Sequence, residues 1–140
     1  MAANGSSATP TSRELIDLLG PFWSAGRTAQ ALAVAPSALR TLCRDGALLG
    51  LTSSDGDMVY PVFQFEKTGD DIRVKPPLLT VLRTLRSFDP WTVAVLMHTP
   101  APELHGRTPL DAARRKTPDD DLEGFARVVA REWAAGGPAE

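Results

Sequence analysis

Cysteine occurs once in the 140 residues, at Cys43, and histidine twice, at His98 and His105. A single thiol excludes an internal disulfide, and two histidines with a cysteine far upstream do not have the spacing of a zinc site. Long apolar runs are missing as well. No stretch approaches the ~20 residues needed to cross a bilayer, and Met1–Ala8 has neither the basic head nor the apolar core of a secretory signal. A cytoplasmic protein with no membrane partner is therefore expected. Nor does charge of one sign dominate, because the formal net charge is -2. That balance excludes holding nucleic acid by bulk attraction, so any DNA contact must be local. The chain also lacks a glycine-rich phosphate cradle, a nucleophile elbow and a histidine paired with a nucleophile motif. Its acidic residues fall mostly at helix caps and turns. These absences argue against an enzyme, and no cofactor or metal is expected.

Hydrophobic residues make up 43% of the chain, enough for a modest core in one domain or two very small ones. Residues 1–10 are small and polar and read as a disordered leader. Thr11 with Glu14 forms a capping box for a short helix with a Leu15, Ile16, Leu18 and Leu19 stripe, stopped by Gly20-Pro21. From Arg27 the pattern predicts two helices separated by Ala33-Val34-Ala35, the second running from Pro36 to Arg44 and ended by Asp45-Gly46. Leu39, Leu42 and Cys43 lie at positions i, i+3 and i+4 and face inward, which turns Ser37, Arg40, Thr41 and Arg44 outward. Leu48–Thr52, the turn cluster Ser53-Ser54-Asp55-Gly56 and Met58–Phe63 then read as a β-hairpin, with Pro61 favouring an edge strand. Helix, turn, helix and hairpin form the order of a winged helix-turn-helix. The spacing of Ala29, Leu32, Val34, Leu39-Arg40, Gly46 and Leu48 resembles the front end of a MerR-type DNA-binding domain.

Lys67-Thr68-Gly69-Asp70-Asp71 is a polar break, and the domain boundary is expected there. Beyond it Leu78, Val81, Leu82 and Leu85 share a helical face, with Arg83 and Arg86 turned away. A second apolar helix starts at Asp89-Pro90-Trp91, a third spans Pro109 to about Lys116, and a last one opens at Thr117-Pro118. Leu122, Phe125, Ala126, Val129 and Trp133 line one side of this last helix. The expected architecture is mainly α with a small β-hairpin. A winged helix-turn-helix at 11–67 is followed by a helical domain at 72–135 and a flexible tail at 136–140.

Two residue sets stand out as binding candidates. Arg27, Ser37, Arg40, Thr41 and Arg44 carry donors, and no acidic residue lies between Arg27 and Arg44. Such a helix face can reach base edges and phosphates in a major groove, while an ordinary solvated face has the same pattern. Residues 1–70 hold seven acidic against five basic side chains, so a homodimer that doubles the phosphate contacts is expected. The second set is Arg114, Arg115, Lys116 and Trp133. A helix C-terminus explains the basic trio, with a partner surface as the competing reading, and Trp133 suits either a core or an interface centre.

Gly106-Arg107-Thr108-Pro109-Leu110-Asp111-Ala112 places a tight turn before a capped helix. Thr108 can cap a helix beginning at Pro109, and Asp111 can return a bond to the cap's own amide. With Trp91 upstream and an amphipathic helix downstream, the stretch 72–133 resembles the toxin-binding domain of the MbcA/ParS/Xre group of bacterial antitoxins. The resemblance implies a type II antitoxin that blocks a cognate toxin, of the RES-domain, NAD-consuming kind, and binds its own promoter DNA. Trp91, Gly106, Arg107, Thr108, Pro109 and Asp111 would be scaffold, the surface from Trp91 to Trp133 would meet the toxin, and NAD would belong to the partner. A reading from another class, a stand-alone transcriptional regulator whose helical half only dimerises, fits the same residues.

Overall fold

The computed structural model describes residues 12–114 and 119–136. The expected leader, the Thr11 cap, Arg115, Lys116, the Thr117-Pro118 helix start and residues 137–140 lie outside them. The described part is mixed α/β, with seven α-helices and two antiparallel sheets. It is richer in strands than a mainly helical chain with one hairpin.

Helix α1 spans Ser12–Leu19 and stops at Gly20, whose N–H donates to Ile16 O at 2.8 Å. Only Leu19 of its predicted stripe is fully buried, while Ile16 and Leu18 are 52% and 48% exposed. Pro21 then leads into β1, Phe22–Ser24, a strand the sequence pattern did not reveal because three residues cannot show a period. Ser24 ends the strand and caps α2 (Ala25–Leu32) by accepting from the Arg27 N–H. Helix α2 closes on Ala33 in the left-handed region (φ 60°), and Val34 N–H returns to Ala29 O at 3.0 Å.

Helix α3 covers Ala38–Arg44, two residues shorter at its start than expected, because Pro36 and Ser37 form a turn whose serine makes no cap bond. The chain leaves α3 through Gly46 at φ +77°, where an added Cβ would sit 2.6 Å from the Arg83 Cα and 3.1 Å from Leu82 O. Both the backbone angle and the contact require glycine.

Strands β2 (Leu51–Thr52) and β3 (Met58–Pro61) form the predicted hairpin around Gly56. Strand β3 is nevertheless central, with order β1-β3-β2, and not at the edge that Pro61 suggested. The proline is tolerated because β2 pairs no further than Val59, so Pro61 faces only Phe22 of β1. A 3-10 turn at Val62–Gln64 follows.

The expected domain boundary falls inside a second hairpin, β4 (Phe65–Thr68) with β5 (Asp71–Val74), whose tip holds Gly69 at φ +63°. Phe65 and Val74 pair on the buried face, and Glu66 and Arg73 pair on the other as an ion pair at 2.7 Å. The polar residues there form the turn of this hairpin. One cluster of buried side chains runs from Leu19 and Leu39 through Tyr60 and Leu78 to Val129, so the two expected parts share a core.

Helices α4 (Pro76–Thr84), α5 (Pro90–Met97), α6 (Pro109–Arg114) and α7 (Asp119–Gly136) complete the fold. Leu78, Val81 and Leu82 of α4, with Leu85 just after it, are buried as their spacing predicts, and α4 packs most extensively on α7. Asp89 caps α5 by accepting from both Thr92 N–H and the Thr92 hydroxyl. Thr108 caps α6 by accepting from Asp111 N–H at 3.0 Å. Helix α7 continues through Gly136, one residue into the expected tail.

Candidate functional site

Arg40, Thr41 and Arg44 are exposed along α3, with Ser37 exposed just before it, while Leu39 is buried and Leu42 and Cys43 are half-buried on the opposite side. The helix is therefore held from below with its donor-bearing face open. Tyr60 and Cys43 fix its underside. Burial, then the neighbouring Cys43, push the Tyr60 phenol up, with Arg40 opposing them. Burial alone pushes the Cys43 thiol up to about 11. Gly50 permits this packing, since a Cβ there would come within 2.9 Å of Cys43 Sγ and of the Tyr60 ring. Arg27 is exposed on α2, and its guanidinium lies 5.1 Å above the Trp23 ring. Trp23 in turn stacks on Phe65 at 5.0 Å, so Arg27 is oriented by a cation–π contact.

Several of the motif residues make contacts that hold the fold. Trp91 is half-buried, donates its indole N–H to Thr52 O at 3.1 Å and meets Phe22 edge-on at 6.5 Å. It thereby docks α5 on the first sheet. His105 (φ 61°) and Gly106 (φ +83°) turn the chain so that Gly106 N–H reaches Ala101 O. Arg107 is exposed, and its carbonyl accepts from Ala101 N–H. Pro109 is buried and Asp111 is half-buried, with Asp111 3.6 Å from Arg114.

Of the second candidate set, Arg114 is exposed at the end of α6. Trp133 is half-buried and lies edge-to-face on Phe88 at 5.3 Å, so it packs against the core and still shows part of its ring.

The chain matches no protein-family model, no curated protein and no solved structure.

Among the described residues no group of three histidine, cysteine or carboxylate side chains converges on a point that could hold a metal ion. No described helix is long and apolar enough to cross a membrane. An apolar groove of about 460 Å³ lies where α1 meets the sheet and α5, walled by Leu15, Ile16, Phe22, Val59 and Trp91.

Gln64 and Lys75, which no motif marks, and His98, weighed above only as a metal ligand, matter here. Gln64 is fully buried, accepts from Leu49 N–H at 2.9 Å, and donates to Leu49 O and Pro61 O at 2.8 and 3.1 Å. A lone amide between Phe63 and Phe65 was the available signal. Lys75 and His98 also line a cleft with Arg114, and no spacing in the sequence links them.

Proposed function

We propose that the chain is a type II antitoxin that acts by binding and not by catalysis. The part containing α2, α3 and the β2–β3 hairpin reads promoter DNA as a winged helix-turn-helix, and the surface of α5 to α7 covers a toxin. The observation that carries this reading is the open face of Ser37, Arg40, Thr41 and Arg44, backed by a buried underside. Guanidinium forks one helical turn apart match guanine acceptors and phosphates, and each good base pair contact discriminates by about 1–3 kcal/mol. A rigid reader also loses little ordering entropy on binding. Two copies would double the phosphate contacts, and the exposed Ile16 and Leu18 offer an apolar surface for such a dimer.

For the helical half, steric occlusion suffices, because a standard interface of about 1,600 Å² covers a catalytic pocket without chemistry from the binder. The capped turn at Gly106–Asp111 and the exposed Arg114 support the likeness to the toxin-binding antitoxin domain. By that likeness the target is a RES-domain, NAD-consuming toxin. Co-expression with the neighbouring reading frame is the test. Rescue of growth is expected. Arrest that persists with this protein present at equal or higher amounts overturns the proposal. Promoter binding without rescue assigns the chain instead to the stand-alone regulators.

A further inference from the structure

A cleft of about 340 Å³ brings together Phe63, Lys75, His98, Thr108, Leu110 and Arg114. They come from the 3-10 turn, the β5–α4 junction, the end of α5 and the start and end of α6. Among the described residues its walls hold two basic side chains, Lys75 and Arg114, and no carboxylate. Lys75 Nζ donates to Phe63 O at 2.6 Å and to Phe65 O at 3.0 Å, which anchors the half-buried ammonium and leaves one of its three protons uncommitted. His98 lies edge-to-face on Phe63 at 4.7 Å, and its Nε2 is buried with no hydrogen-bond partner. An orphaned ring nitrogen of this kind costs free energy until something bonds it. The Thr108 hydroxyl oxygen accepts from Asp111 N–H, so its own proton remains available.

Two carboxylates stand nearby: Glu66 is bonded to Arg73 at 2.7 Å, and Asp111 forms an ion pair with Arg114 at 3.6 Å that compensates this guanidinium in part and leaves its remaining N–H groups for a ligand. Burial pulls the Lys75 ammonium below the ordinary lysine range, Glu66 partly opposes this, and Arg114 adds to it. Burial likewise pulls the His98 imidazole below the usual histidine range, which favours its neutral form. A neutral imidazole can still present an N–H at Nε2.

We propose that this cleft binds a small-molecule oxyanion, a phosphate monoester or carboxylate, carried on an apolar body. Lys75 and Arg114 neutralise the anion, His98 Nε2 and the Thr108 hydroxyl donate to its oxygens, and Phe63 and Leu110 pack against the apolar part. The site stands independently of the antitoxin reading. It shares Arg114 with the surface proposed to meet a toxin, so the test uses the protein alone.

Full-length isotopically labelled protein is titrated at low salt with phenyl phosphate, benzoate and inorganic phosphate, following the His98 ring and the Lys75 and Arg114 amides by NMR. Saturable shifts with phenyl phosphate or benzoate, tighter than with inorganic phosphate, are expected, and the stronger of the two names the anion class. Arg114→Gln changes an exposed side chain and is expected to keep the fold while weakening binding about tenfold, the scale of one charge-assisted contact. His98→Phe keeps the ring contact with Phe63, removes only the nitrogens, and is expected to weaken it as well. No saturable shift up to about 10 mM, where even a millimolar site is filled, overturns the proposal. Equal affinity in the parent and Arg114→Gln also overturns it, as does inorganic phosphate binding as tightly as phenyl phosphate.

Discussion

Replacing Gln64 by methionine keeps the length and flexibility of the side chain and removes all its hydrogen bonds. The amide is fully buried and satisfies both the N–H and the C=O of Leu49 and contacts the Pro61 carbonyl. A buried polar group left without a partner costs about 1–3 kcal/mol. With at least the two Leu49 groups orphaned, and some relaxation allowed, the loss is about 3 kcal/mol. That is a large fraction of the roughly 5–15 kcal/mol by which a domain of this size is stable. For a chain of this length it corresponds to a fall in Tm of about 10 °C. Urea and thermal unfolding followed by circular dichroism measure it directly, and an unchanged m-value would show that the native state is what lost stability. A Gln64→Met variant within about 1 kcal/mol of the parent would refute the reasoning, because the Leu49 peptide would then have found water or other partners.

Arg40→Ala and Arg44→Ala should each weaken promoter binding in an electrophoretic or fluorescence assay while leaving Tm nearly unchanged, since both side chains are exposed. Equal promoter affinity in parent and variants would reject α3 as the reader. Trp133→Phe preserves an aromatic contact with Phe88 and should leave folding intact, so a drop of about tenfold in toxin affinity would isolate an interface role for the indole. Unchanged affinity would leave Trp133 as packing alone. The Cys43 thiol, pushed up to about 11 by burial, should alkylate at pH 8 on the order of a hundredfold more slowly in the folded protein than in denaturant. Equal rates would show that α3 does not stay seated on Tyr60 and Gly50.

Helices with caps and a strong period were legible in the chain. Leu78, Val81, Leu82 and Leu85 announced the buried side of α4, Asp89-Pro90 the start of α5 and Thr108-Pro109 that of α6, because local geometry and burial agree at each. Elements whose reason for forming is non-local were not legible. Strand β1 exists because β3 offers a partner more than thirty residues away. The hairpin from Phe65 to Val74 was hidden by its polar tip, although Phe65 and Val74 mark its buried face. Helix α1 shows the opposite failure, since its stripe predicts more burial than Ile16 and Leu18 find. The exposed donors of α3 followed from spacing. The cleft of Lys75, His98 and Arg114 did not, because residues far apart in sequence meet only through the tertiary fold.

Gly46 brings the end of α3 so near α4 that no side chain fits between the two backbones. Such a joint has no compliant layer to absorb displacement: if α4 tilts by a fraction of an ångström, the last turn of α3 tilts with it. A load on α4 is therefore expected to reach Arg44 and its neighbours, as it would along a beam and not along beads on a string.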